Sequence, residues 1–172
     1  MVGKIVTLSI IVIASAIMGN VVVRSADQRL TALVTLMNCG KAMKNCLVFQ
    51  RMTLFEALKH CDKIGMDGLF GRMAELMREC PGVNLFQICR MALSEGGEAL
   101  ALIDGKAQQA LVNFIVTAGS ASIPQMIADA YGEFAKELGG IISEMKNQQM
   151  KKARAVRSLC MLGGIMIAIV LA

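Results

Sequence analysis

The sequence has no tryptophan and a single histidine, and only 4% of its 172 residues are aromatic. Nucleic-acid surfaces combine basic residues with aromatic rings on which bases stack, and no such interleaved pattern occurs here. The one histidine, His60, has no serine or cysteine placed beside it by a motif for nucleophilic catalysis. We therefore expect neither a nucleic-acid-binding protein nor an enzyme, and no cofactor is implied.

Two further motifs are missing. The six cysteines contain no Cys-x-x-Cys pair, which argues against a zinc knuckle or a redox pair. Gly105-Lys106 lacks the upstream glycine of a Walker A loop. Cys39 and Cys46, seven residues apart, share one face of a helix, and we expect the cysteines to be buried thiols.

Acidic residues are absent from both ends of the chain, and Lys4 is the only basic residue outside residues 24–157. All 13 acidic residues lie within residues 24–157, and no charged side chain follows residue 157. Before this apolar end stands a basic collar, formed by Lys146, Lys151, Lys152, Arg154 and Arg157. A basic flank followed by an apolar run is typical of a membrane helix and its cytoplasmic side. The sequence thus predicts a transmembrane helix over 158–172 and a cytoplasmic domain over 25–157.

A second transmembrane helix is predicted over 1–24. Residues 5–23 are uncharged and would span ~28 Å as a helix, enough for a bilayer core. The competing interpretation is a cleaved signal peptide, but export would place the collar on the wrong side of the membrane. Small residues that could allow close helix packing in lipid are Ser15, Gly19, Gly163 and Gly164.

Between the two spans, apolar residues recur at intervals of three and four, and the chain reads as a bundle of about six helices without a sheet. The first helix runs from Asp27 to about Phe49. Thr53 and Glu56 form a capping box that begins the second, which Gly65 should end. Asp67 is predicted to cap a third helix. A fourth helix is expected from Asn84 to Gly96, and a fifth from about Glu98 to Ala118. A capping box at Ser122–Gln125 should begin one long last helix from Ile123 to Ala172, with its likeliest kink at Gly139-Gly140.

Three carboxylates at intervals of four residues form an acidic stripe on this last helix: Asp129, Glu133 and Glu137. The stripe is either a solvated helix face or a docking surface for a basic partner.

The order of these features resembles the stage III sporulation protein AB family over essentially the whole chain. The resemblance is carried by short motifs in sequence order: Arg29-Leu30, Leu33, Leu36, Thr53-Leu54, Ala57-Leu58, Leu69-Phe70, Arg157-Ser158-Leu159 and Leu162-Gly163-Gly164. That family is in turn similar to the cytoplasmic helical domains of the F proteins of type II secretion and type IV pilus machines, which meet a hexameric ATPase.

The resemblance implies a two-pass component of the channel-like complex between mother cell and forespore. It would lie in the outer forespore membrane, with its domain in the mother-cell cytoplasm. The implied partners are the other stage III channel proteins, including the stage III sporulation protein AA ATPase, together with membrane lipid and a second copy of the chain. Two alternatives remain: a membrane-tethered sensor or regulator that binds a soluble ligand, and a membrane hydrolase or transferase, for which we find no paired catalytic groups.

Overall fold

The computed structural model describes residues 27–171, and it describes side chains for residues 27–97 and 100–151. These residues are all-α, and no strand occurs among them. Helix α1 covers residues 27–48. Six more helices follow: α2 (Leu54–Asp62), α3 (Leu69–Glu79), α4 (Leu85–Ser94), α5 (Glu98–Ala101), α6 (Gly105–Ser120) and α7 (Pro124–Leu171). The predicted all-α fold is confirmed.

The beginning of α2 is the capping box expected from the sequence. The backbone N–H of Glu56 donates to Thr53 Oγ1 at 3.3 Å, and the N–H of Thr53 donates to Glu56 Oε2 at 2.9 Å. Each side chain thus satisfies one backbone donor that the first helical turn leaves unpaired. The helix ends at Asp62, three residues before Gly65, so Ile64 lies in the following loop.

The predicted cap of α3 is wrong. Met66 and Asp67 have φ angles of 85° and 50°, and the N-cap residue is Gly68 in the left-handed region. An N-cap side chain needs an extended backbone to reach the next turn, and Asp67 does not have one. Asp62 serves instead, because its Oδ1 accepts the Gly71 N–H at 2.9 Å from the end of α2.

The predicted fifth helix is two helices. The chain leaves the helical path after Ala101, and Asp104 is extended (ψ 148°) at the beginning of α6. The side-chain amide of Gln108 donates to the carbonyls of Leu100 and Ile103, at 3.3 and 3.2 Å, and so partners two acceptors that the break leaves open.

Helix α7 is continuous for 48 residues, as predicted. It begins at Pro124, whose missing N–H costs nothing in the first turn. The expected capping box at Ser122 is wrong, because the residue before the helix is Ile123 and the Gln125 amide donates to Asp129 at 2.9 Å.

No helix in the part of the chain with described side chains is long and apolar enough to cross a membrane. The predicted span at 1–24 lies outside the described residues. The span at 158–172 falls where the backbone of α7 is described up to Leu171 and the side chains are not.

Arg29–Ile142 form one compact unit, and Ser143 onwards belongs to a second unit. The core of the first unit is built from aliphatic, phenylalanine, methionine and cysteine side chains, and no polar side chain is buried among those described. Its largest fully buried side chains are Phe70, Phe114, Leu33, Leu36, Met43, Leu58, Met73, Leu111, Ile115 and Leu138.

Contacts among α1, α6 and α7 centre on Phe134. Its ring stacks on Phe114 of α6, with 5.2 Å between centroids and 22° between planes. On the other side the ring lies directly against Gly40 of α1, where a Cβ atom would overlap Phe134 Cε1. Nearby, Lys44 Nζ lies 5.0 Å from the centroid of the Tyr131 ring, a cation–π contact between α1 and α7. Gly40, which helix propensity alone marks as a weak point, is therefore where α7 approaches α1.

Replacement of Gly40 by alanine should destabilise the protein. Alanine gains ~1 kcal/mol of helix propensity, but overpacking against a ring that cannot move away from Phe114 costs about 1–3 kcal/mol. We expect a net loss in the free energy of unfolding measured with urea. The matched control is Gly132→Ala on α7, where a Cβ meets nothing within 4 Å, and this change should stabilise. A stabilised Gly40→Ala variant would contradict the packing described.

Glu56 should make stability depend on acid pH. Hydrogen bonds from the backbone and side chain of Thr53 hold the pKa of Glu56 below its usual 4.5. This contribution to stability is present above pH 4.5 and is lost as the pH falls through the lowered pKa. We therefore expect Glu56→Gln to be less stable than wild type at pH 7 and the difference to shrink at lower pH, in urea titrations at several pH values. A difference that is constant with pH would contradict the cap.

Candidate interaction surfaces

The described side chains offer no obvious chemistry. His60 is exposed on α2, and no group of three His, Cys, Asp or Glu side chains among those described is placed to hold a metal ion. Burial raises the pKa of the Cys39 thiol to about 11 and of the Cys89 thiol to about 12. Both thiols therefore stay protonated at neutral pH and are poor nucleophiles.

The prediction of buried thiols is confirmed for Cys39, Cys46, Cys61 and Cys89. Cys61 Sγ lies 3.4 Å from the Cys39 carbonyl oxygen, and burial raises its pKa to about 12. Cys80 is only partly buried, and Cys160 lies outside the described side chains.

The acidic stripe is exposed on α7. Asp129, Glu133 and Glu137 are all classed as exposed, while Phe134 and Leu138 on the same helix are buried. Burial of one face thus fixes the rotation of α7 and turns the stripe toward solvent.

A shallow groove runs beside the stripe between α6 and α7. Glu133 and Glu137 line it together with Asn113 and Thr117, and its volume is about 50 Å³. Small-molecule sites usually enclose about 300–1,000 Å³. This groove is therefore too small for a ligand of the kind that the sensor alternative requires.

The other predicted site residues belong to the basic collar and to the two predicted membrane spans. Lys146 and Lys151 of the collar are exposed on α7. The remaining predicted residues lie outside the described side chains: Lys152, Arg154, Arg157, Ser15, Gly19, Gly163 and Gly164.

A charge cluster around Arg72 was missed from the sequence. Arg72 Nε lies 2.6 Å from Glu95 Oε2, and its Nη1 lies 3.4 Å from Glu75 and 3.2 Å from Glu79. The hydrogen bond from Arg72 lowers the pKa of Glu95. The spacing of Arg72 to Glu75 is a visible helical signal, but Glu95 is 23 residues away and no local pattern pairs it with Arg72.

A second surface, also missed, lies where α2, α4 and the end of α6 meet. A Cβ atom on the exposed Gly119 would lie 2.5 Å from Leu85 Cδ2 and 3.0 Å from Leu54 Cδ2. Phe86, the residue after Leu85, is 36% exposed, and Ile123, four residues after Gly119, is 54% exposed. We call these five residues the apolar junction. In the sequence this surface is marked only by apolar residues at the starts of helices, and the same pattern is expected for residues buried in a core.

Two cations lie over aromatic rings near the starts of α2 and α4. Arg90 lies over the ring of Phe86, 5.9 Å from the centroid to Cζ. Lys59 Nζ lies 4.9 Å from the centroid of Phe55, the residue after Leu54. Both pairs are spaced by four residues, one turn of a helix, so each cation is held over an aromatic ring of its own helix.

A family model described as stage III sporulation protein AB matches residues 4–172. No curated protein and no solved structure matches the chain. Since the match covers nearly the entire sequence, the resemblance predicted from the short motifs is confirmed. The chain belongs to the stage III sporulation protein AB family, which assigns it a role in the third stage of spore formation.

Proposed function

We propose that the chain is a membrane-anchored scaffold in the channel-like complex between mother cell and forespore, and that it serves as a platform for a secretion-type ATPase without catalysis of its own. Family membership supports the sporulation setting. The observation that carries the platform role is the continuity of α7, which bears the acidic stripe near one end and the basic collar toward the other. A partner bound at the stripe would be connected to the membrane through one unbroken helix.

The proposed anchoring rests on charge asymmetry. The collar residues precede an uncharged C-terminal segment in the same helix, and basic residues are retained on the cytoplasmic side of a membrane. Anionic lipid on that side would attract the collar further. The domain would then lie in the mother-cell cytoplasm, beneath the outer forespore membrane, with spans at both ends of the chain.

The proposed contact with the ATPase is electrostatic. Asp129, Glu133 and Glu137 are exposed and lie in none of the salt bridges found among the described residues. Such a row of carboxylates suits a basic surface on the partner, and opposite charges steer encounter and fix orientation. The stage III sporulation protein AA ATPase is the partner that we propose for it.

The topology can be tested by thiol labelling in a chain that also carries Cys160→Ser, because the remaining native thiols other than Cys80 are buried. We would introduce Lys106→Cys, an exposed position, together with Cys80→Ser, which removes the partly buried thiol. A membrane-impermeant maleimide should not label this variant in intact cells and should label it after lysis, as gel shift reports. The parent with Cys80→Ser and Cys160→Ser, but without the change at residue 106, should stay unlabelled in both. Labelling of residue 106 in intact cells would overturn the cytoplasmic placement.

The platform role predicts a specific loss of binding. We expect the triple variant Asp129→Asn, Glu133→Gln, Glu137→Gln to raise the Kd for the purified ATPase about tenfold, since exposed charge pairs contribute about 0.2–1 kcal/mol each. The effect should weaken at high salt. The control replaces two exposed carboxylates elsewhere, Glu75→Gln and Asp104→Asn, and should bind like wild type. Equal Kd values for stripe and control variants would contradict docking through the stripe.

A further inference from the structure

The groove between α6 and α7 has an apolar floor and a polar rim. Four of its lining side chains are apolar and form the floor: Ala110, Phe114, Ala130 and Phe134. The other four are exposed polar side chains and form the rim: Asn113, Thr117, Glu133 and Glu137. An alanine on each helix leaves space beside the stacked rings of the two phenylalanines. The groove therefore offers a small apolar recess with polar groups at its opening.

All four rim side chains can accept hydrogen bonds. Glu133 and Glu137 lie one turn apart on α7, and neither forms a salt bridge among the described residues. Asn113 Oδ1 accepts one hydrogen bond from Gln109 Nε2 at 2.9 Å, and a carbonyl oxygen of this kind has a second lone pair. A group that fits this rim must be positively charged and must carry several hydrogen-bond donors.

The neighbouring cations do not neutralise the groove. Lys106 of α6 and Lys136 of α7 are exposed, and neither is among the residues that line it. Lys136 is turned about 60° around α7 from Glu133, away from Ala130 and Glu137. Neither lysine forms a salt bridge with the two glutamates. The charged side chains that line the groove are therefore both negative.

The size of the groove indicates which cation fits. Its volume is about 50 Å³, which corresponds to roughly four non-hydrogen atoms, since a cavity needs about 10–15 Å³ to hold one water molecule. The guanidinium group of arginine has four non-hydrogen atoms in one plane and carries five N–H donors. A metal ion fits less well, because no group of three His, Cys, Asp or Glu among the described side chains is placed to hold one.

We propose that the groove receives one arginine side chain of the partner that binds the acidic stripe. The proposal rests on the proposed function and deepens it, because it names the residue type that the partner must present. The guanidinium would pair with Glu133 and Glu137 and donate to Asn113 Oδ1, while its methylene stem would cover Ala130. Asp129 lies on the stripe but outside the groove, and it would contribute only longer-range attraction.

The test is an NMR titration of the full-length chain in detergent micelles, with the alanine methyl groups labelled with carbon-13. The probe is N-acetylarginine methylamide, and N-acetyllysine methylamide is the matched probe. We expect saturable shifts of the Ala110 and Ala130 methyl signals and a Kd about threefold higher for the lysine probe, because lysine cannot form a planar bidentate pair. Equal Kd values, or no shift of these two signals, would overturn the proposal.

A groove-filling variant tests the location. Ala130→Leu fills the recess without changing a charge, and the arginine probe should then no longer shift the Ala110 methyl signal. The control Ala101→Leu, at an exposed position on α5, should bind the probe like wild type. If Ala130→Leu fails to fold by circular dichroism, the double change Glu133→Gln and Glu137→Gln replaces it and should raise the Kd about tenfold. Asp129→Asn should raise it less. An unchanged Kd in the groove variant would contradict insertion.

The platform role is judged separately, with the purified ATPase. An ATPase Kd that rises in both the stripe variant and Ala130→Leu would support both proposals. A Kd that rises in the stripe variant but not in Ala130→Leu would leave the platform standing and overturn arginine insertion. Arginine-selective binding in the groove, with an ATPase Kd that the stripe variant does not change, would support the arginine site and contradict the ATPase as the partner.

Discussion

The arrangement of the bundle depends on one contact, the placement of the Phe134 ring between Gly40 and Phe114. Because residue 40 has no side chain, α7 can approach α1 until the ring touches the backbone, and the stack on Phe114 holds the ring from the α6 side. This contact sets the rotation of α7 within the unit Arg29–Ile142. The same rotation turns the acidic stripe outward, so a packing interaction in the core decides which charges a partner can meet.

Because the chain has few aromatic residues, the contact of Phe134 with Phe114 and Gly40 has a large share in determining how the helices pack. Only 4% of residues are aromatic, and three of the rings, those of Phe114, Tyr131 and Phe134, lie within 6.3 Å of one another by centroid distance. Elsewhere the core consists, apart from Phe70, of aliphatic, methionine and cysteine side chains, which have fewer geometric preferences than stacked rings. Aromatic pairs have preferred orientations and contribute about 0.5–1.5 kcal/mol beyond their burial, so the specificity of packing is concentrated where α7 joins the bundle.

The features that the sequence predicts correctly are those formed by residues close together in the chain. The Thr53–Glu56 capping box and the Asn84 cap, which accepts from the Phe86 N–H at 3.1 Å, depend on residues within one turn, and both occur. The Asp62–Gly71 bond and the Arg72–Glu95 pair were missed because each joins residues brought together only by tertiary packing. The break before α6 was missed because its apolar positions, from Leu100 to Ile115, keep the helical spacing and are indeed buried. A row of buried apolar residues can therefore keep helical spacing across a break between two helices.

On α7 within the compact unit, three carboxylates and one cation, Lys136, are exposed. Carboxylates line the outer face of α7, while Lys59 and Arg90 stand beside apolar side chains on α2 and α4. A uniform polyanion such as nucleic acid would be repelled by the first surface, and a uniformly basic protein would be repelled by the second. Charge placement of this kind contributes orientation more than affinity, which suits the proposed role as a scaffold.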